Sequence, residues 1–427
     1  MSASEPAKSY LKESPAWASA ITAWLPERIA PVRRAGYTLK DLARRGVLDP
    51  EVVTRFTQET GLADFGWRAL WADSDGGPDA ETAARAVSEA AAVVILVHGW
   101  TGSGEIWEDL PALLVRAHPD LLVLVPDVNG FGKTPFESMN PSLGQVTPPA
   151  IMASLEKWLA LIGLRGPSVV QKRPFVFVGH SMGGAALFYA SPVQWTAGEI
   201  GRLAVAPALW MNDRTRQRLY RTMGAGILMG GWNAFTDWVA ANVFVPRVIQ
   251  LLAGASSARV HNVHEQMYRH TPEGVVSQTL AGLGVLEARF EQDQWPHLRV
   301  ILGSRDAMVG VQPVLELLEQ IGLRSEDVQI AFGDHYFFST GPQPGNPARN
   351  RDLLLEEIAR LRQALIEELN RPAAVVPPPP PAVKRPTRPE TLDQHRQVTR
   401  RLGSAPADKP SADKQREPGD KKGEAST

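Results

Sequence analysis

The stretch Phe175-Val176-Phe177-Val178-Gly179-His180-Ser181-Met182-Gly183-Gly184-Ala185-Ala186-Leu187 runs from unbroken apolar residues, through glycines, into small helix formers. An apolar run without polar alternation suits a strand covered on both faces, as in a parallel sheet. Gly179, Ser181 and Gly183 then make a G-x-S-x-G pattern where that strand ends and a helix begins. Such a turn has to be sharp. It lifts the serine hydroxyl above the sheet edge, and neighbouring backbones leave no room for a Cβ at the flanking glycines. The helix that follows aims its first N–H groups at the same point. The pentapeptide alone is a weak signal; between an apolar strand and a small-residue helix it marks Ser181 as a candidate nucleophile.

Working outward, five further strand-like runs appear at residues 93–97, 121–125, 203–205, 299–302 and 328–332. Helical patterns at 149–162 and 311–321 lie between them. Alternation of this kind predicts an α/β fold, a mostly parallel central sheet flanked by helices. The carboxyl ends of parallel strands share one edge, where ligands bind.

A serine hydroxyl needs a base. Of the nine histidines, His335 is the candidate, because it follows the last strand in Phe332-Gly333-Asp334-His335. Asp306 follows the fifth strand in Leu302-Gly303-Ser304-Arg305-Asp306 and is the candidate orienting carboxylate. Asp213, after the fourth strand, is the second choice for that acid. Asp334 adjoins His335 in sequence and reads as a loop residue. His261, His264 and His270 lie in the long segment between the fourth and fifth strands, which disfavours them as the base, and their spacing does not suit a metal site; His98 and His180 read as shaping their turns. The oxyanion formed in acyl transfer needs N–H donors. The main-chain groups of Met182 and Trp100 are the candidates, the latter from His98-Gly99-Trp100-Thr101-Gly102-Ser103-Gly104. Neither glycine pattern of a nucleotide-binding loop occurs.

His98-Gly99-Trp100, Pro126-Asp127 with Gly130-Phe131-Gly132, the segment 179–184, the segment 303–306 and the segment 333–335 together resemble the α/β-hydrolase superfamily, in its serine esterase and lipase-like branch with a helical lid. The likeness spans roughly residues 90–340. It implies acyl transfer to Ser181, with His335 as base and Asp306 as its partner, and no metal or organic cofactor. Asn129 departs from the pattern, since many relatives carry arginine before Gly-Phe-Gly. A serine at the elbow, not an aspartate, argues against the dehalogenase and epoxide hydrolase branches.

Between the fourth and fifth strands lie roughly ninety residues, too many for one crossover. The expected organisation is therefore a core of residues 91–207 and 297–370 with a helical lid at 208–296. Residues 1–90 form a mostly helical extension, with 44–60 as a helix, from which the first strands of the sheet could also come; 67–72 reads as one of these. The last core helix is expected at 351–369 with Asn350 as its cap. From Arg371 the chain carries 12 basic and 7 acidic residues, the proline run 377–381 and almost no branched apolar or aromatic residues, so 371–427 reads as a disordered tail. A Pro-rich ligand for a partner domain is a further reading of that tail.

The 427 residues are 44% hydrophobic and 21% charged with net charge -1, which gives no sign of a nucleic-acid partner. There is no cysteine, so disulfides, thiolate metal sites and cysteine nucleophiles are excluded. Residues 16–25 are too short an apolar run for an export signal and read as an amphipathic helix burying Trp17 and Trp24. No run of eighteen apolar residues suggests a membrane span. The expectation is a cytoplasmic enzyme. Between Thr222 and Ala258 only Asp237 and Arg247 are charged. That composition points to a small-molecule ester with a hydrophobic acyl group, and more weakly to lipid-surface contact through the lid. Two alternatives stay open: a thioesterase or acyltransferase using the same serine, and a non-catalytic binding protein that keeps the fold.

Overall fold

A computed structural model describes residues 27–29, 32–72, 87–166, 172–190, 195, 198–209, 214–228, 243, 245–283, 297–342 and 345–371. The chain divides into two units, Met1–Arg371 and Pro372–Thr427, and every described residue belongs to the first. Residues 16–25, Asp213 and the tail lie outside the described residues.

Among the described residues nine strands form one sheet: β1 (Glu27–Ile29), β2 (Val32–Thr38), β3 (Gly66–Ala72), β4 (Ala92–Val97), β5 (Leu121–Pro126), β6 (Phe175–His180), β7 (Ile200–Val205), β8 (Leu298–Gly303) and β9 (Val328–Ala331). Their spatial order is β1-β2-β3-β5-β4-β6-β7-β8-β9. From β5 to β9 all neighbours are parallel, whereas β1, β2 and β3 join antiparallel at one edge. The mostly parallel sheet expected from the apolar runs is thus observed.

The reason those runs show no alternation is visible in the packing. In β4, Val93, Ile95 and Val97 enter one buried cluster while Ala92, Val94 and Leu96 enter the other. Helices α4 (Pro148–Leu161) and α10 (Val311–Gln320) cover the first face; α3 (Leu110–Ala117) and α11 (Pro347–Leu369) cover the second. Each fully buried Val, Leu or Ile contributes about 1.5–3 kcal/mol, so both faces hold the strands in place.

The expected helix at 44–60 is broken. Helix α1 (Leu39–Arg44) stops, Gly46 turns at φ 71°, and α2 (Pro50–Thr60) restarts with Asp49 accepting from the Glu51 N–H. Asn350 is not the cap of the last helix. Asn346 caps α11 by accepting from the Arg349 N–H, and Pro347 occupies the first turn, where its missing N–H costs nothing.

Between β7 and β8 lie four described helices: α6 (Arg214–Leu228), α7 (Val245–Ala253), α8 (Ala258–His270) and α9 (Glu273–Leu283). Helix α5 (Met182–Ala186) follows β6 directly. Among the described residues no helix is long and apolar enough to cross a membrane.

Candidate active site

The chain leaves β4 toward β5 on one side and returns to β6 on the other, so a crevice opens between the carboxyl ends of β4 and β6. Non-glycine residues with positive φ gather just beyond the ends of β4, β5, β6 and β7: Thr101 at 49°, Asn129 at 57°, Ser181 at 53° and Ala206 at 44°. Each follows a different parallel strand. Strain of this kind, of order 1–3 kcal/mol per residue, persists where surrounding contacts over-determine it.

Ser181 sits at that crevice with φ 53° and ψ -114°, immediately before α5. Its N–H donates to Val205 O at 3.0 Å, and its carbonyl accepts from Ala185 and Ala208 at 2.9 and 3.0 Å. These bonds pin the strained turn. Gly183 permits it: a Cβ there would lie 2.5 Å from Val97 O and 2.6 Å from His98 O. Gly99 packs against the same serine, since a Cβ at that position would meet Ser181 Cβ at 2.9 Å.

Asp306 and His335 come together. His335 Nδ1–H donates to Asp306 Oδ2 at 2.8 Å, and Asp306 Oδ1 accepts from the Met308 and Val309 N–H groups at 2.9 and 3.0 Å. Burial pushes the Asp306 carboxyl up, but the His335 ring and the two backbone donors outweigh it and hold the carboxyl below its ordinary range. An ionised acceptor at Nδ1 keeps the imidazole proton there and leaves the lone pair on Nε2.

The main-chain N–H groups of Trp100 and Met182 make no hydrogen bond among the described residues, and both side chains are buried. The Trp100 indole is turned away to α9, where it donates to Val276 O at 3.1 Å and Thr279 Oγ1 at 3.0 Å. His98 spans two loops: its Nε2 accepts from the Val128 N–H at 2.8 Å, so its Nδ1–H donates to Gly99 O at 2.8 Å. Burial holds this ring's pKa down, consistent with that neutral form. Asn129 occupies a left-handed position that asparagine tolerates. Its Nδ2 donates to Val146 O and lies 3.2 Å from Met182 Sδ.

Asp334 faces away from the base, accepting from the Tyr336 N–H and the Ala255 N–H, both at 2.9 Å. Asp213 lies outside the described residues. His270 is exposed, and His261 bonds within the first turn of α8. His264 is different: it is fully buried between Thr101 and Tyr336. Its placement four residues after Val260, one turn further along the same helix face, was the available sequence signal.

A model of the alpha/beta hydrolase family matches residues 94–345, more than half of the chain. No curated protein matches the sequence. Among solved structures, a bromoperoxidase from Bacillus anthracis is similar over 70% of this chain and 95% of its own, at 15% identity and TM-score 0.48. A thermophilic esterase from Thermogutta terrifontis is similar over 63% and 90%, at 16% identity and TM-score 0.45. An esterase from Exiguobacterium antarcticum is similar over 64% and 91%, at 11% identity and TM-score 0.45.

Proposed function

The chain belongs to the alpha/beta hydrolase family, and from that premise we propose that it hydrolyses a carboxylic ester through an acyl-enzyme on Ser181. The observation that carries this is the buried Asp306–His335 pair at 2.8 Å, on the sheet edge where Ser181 is held at φ 53°.

Ser181 Oγ attacks the ester carbonyl, and His335 Nε2 takes the hydroxyl proton. Asp306 stabilises the imidazolium so formed. The Trp100 and Met182 N–H groups take the oxyanion. Collapse of the tetrahedral intermediate expels the alcohol, which receives the proton from His335. Water, deprotonated by the same ring, then releases the acid and restores the serine. The acyl group is hydrophobic on this reading, supported by the scarcity of charge from Thr222 to Ala258. Trp232 and Phe244, two aromatic residues of that segment, lie outside the described residues.

A serine-reactive fluorophosphonate should label the wild type and leave Ser181→Ala unlabelled. A panel of p-nitrophenyl esters should then show kcat/KM rising with chain length. Folded wild type that resists the probe would overturn the nucleophile. A flat chain-length profile would overturn the hydrophobic acyl group, and faster turnover of acyl-CoA than of any ester would move the substrate to a thioester.

A further inference from the structure

Three buried side chains outside the Ser181, His335 and Asp306 set connect the loop of the oxyanion donor to the loop of the base. Thr101 Oγ1 lies 2.9 Å from His264 Nδ1, and His264 Nε2 lies 2.7 Å from the Tyr336 hydroxyl. Thr101 is the residue after Trp100, and Tyr336 is the residue after His335. His264 belongs to neither loop. It comes from α8, in the segment between β7 and β8. All three are buried, with exposures of 2% or less.

The direction of the hydrogen bonds follows from counting protons. The Thr101 hydroxyl donates to Trp100 O at 2.8 Å. Its oxygen therefore accepts from His264, which places the ring proton on Nδ1. Nε2 carries the lone pair, and Tyr336 O–H donates to it. In the opposite sense the Tyr336 proton would have no acceptor among the described residues. Neutral groups suit this chain. Burial, reinforced by His335, His261 and His98, pushes His264 down to about 3, and burial pushes the Tyr336 phenol up.

Val260 and Val263 already seat α8 on the core by apolar packing. A buried polar chain is not needed for that purpose, since matched apolar replacement of both partners is often neutral. What the chain adds is direction. Thr101 is β-branched at φ 49°, a conformation unusual for such a residue. Its hydroxyl is fixed from two sides, by Trp100 O and by His264. Tyr336 is fixed too, with its ring 4.3 Å from that of His180 and its hydroxyl on His264.

We propose that His264 is a positioning residue for the reaction, setting the Trp100 N–H donor and the His335 loop in register through Thr101 and Tyr336, so that the site is complete only with helix α8 docked. The proposal rests on the acyl-enzyme reading above and extends it to a residue that touches no reacting atom.

The test compares Thr101→Val, Thr101→Ser and Tyr336→Phe with the wild type, together with the Thr101→Val/Tyr336→Phe double variant. Fluorophosphonate labelling rate, kcat and KM on one p-nitrophenyl ester, and Tm are read for each. Thr101→Val and Tyr336→Phe change little volume, and both should lower kcat and labelling rate by about tenfold or more, the scale of a sub-ångström misplacement. KM should stay within about twofold, since the losses fall on transition-state positioning. Thr101→Ser restores the hydroxyl and should restore most of the rate. The double variant should be no slower than the slower single one, because either change breaks the same chain. Wild-type labelling rates in both single variants would overturn the proposal. So would equal losses in Thr101→Val and Thr101→Ser, or rate losses that multiply in the double variant. These outcomes are all read relative to a wild type that labels. A wild type that does not label overturns the nucleophile reading instead.

Discussion

His180 Nε2–H donates to the main-chain oxygen of His335 across 3.0 Å, so the residue before the candidate nucleophile holds the backbone of the candidate base. The two rings lie 4.6 Å apart, and the His180 ring also meets Trp107, Tyr336 and Phe338. Its Nδ1 is buried without a partner among the described residues. Burial, together with the His335 ring, holds His180 well below the ordinary histidine range, so it stays neutral with its proton on Nε2. The strand-end turn and the base loop are thereby joined without help from the helices between β7 and β8.

His180→Phe keeps an aromatic ring and removes this donor. The His335 carbonyl is left without the His180 bond, at a cost of about 1–3 kcal/mol, offset in part by losing the orphaned Nδ1. Chemical denaturation should show that loss, and fluorophosphonate labelling of the folded fraction should slow. An unchanged labelling rate would mean that His335 is held adequately by its bond to Asp306.

Asp306→Asn replaces the carboxylate with an amide that no longer selects the right imidazole tautomer. A kcat loss of about 10⁴-fold is expected. Stability should respond to pH as well. The folded carboxyl is held below its unfolded value, so its contribution is present above about pH 4 and lost as pH falls through the lower folded value. The Tm difference between wild type and variant should therefore stay level from pH 7 to about pH 5 and narrow below that.

The central parallel strands were legible because burial on both faces removes all alternation: β4 and β5 are apolar from end to end, and β6 is apolar up to its closing Gly179-His180. The placement of Ser181, Asp306 and His335 could be read for a related reason: each follows a parallel strand, and parallel strands deliver their carboxyl ends to one edge, although β9 before His335 is an edge strand with Gln329 and an exposed Ile330. Strand β2 was not. Its sequence carries Arg33, Arg34 and Gly36, which hide a period of two, and its antiparallel pairing with β1 and β3 gives it a place. The role of Asn350 was also hidden. Its side chain acts on carbonyls 13 and 18 residues away, and no local pattern encodes such a reach. His264 was missed because its partners come from two different loops.

Gly183→Ala should be strongly destabilising. The added Cβ would meet Val97 O at 2.5 Å and His98 O at 2.6 Å, both backbone atoms that cannot swing aside. Relief requires moving the end of β4 against the turn after β6, at a cost of about 1–3 kcal/mol or more. Denaturant midpoints should fall, and the folded remainder should label slowly because the same shift displaces the serine turn. A variant as stable as the wild type would show that the crevice between β4 and β6 opens more easily than its packing implies.

Asn350 clasps the base loop from both ends. Its Nδ2 donates to Phe332 O at 3.0 Å and to Phe337 O at 2.8 Å, either side of His335. Asn350→Ala should cost about 1–3 kcal/mol by leaving these carbonyls without their donor. Asn350→Asp has almost the same shape but a sharper defect, because an ionised carboxylate would face two carbonyl oxygens. The folded state must therefore favour its protonated form, raising that carboxyl above its unfolded value. The sign follows: the penalty is full at neutral pH and shrinks as pH falls through the raised value, because the protonated acid regains one donor. At pH 7 the order of stability should be wild type, then Asn350→Ala, then Asn350→Asp. Near pH 4 the Asp variant should close on or overtake the Ala variant in Tm. If the two variants stay parallel across that range, Nδ2 is not the donor that ties the loop.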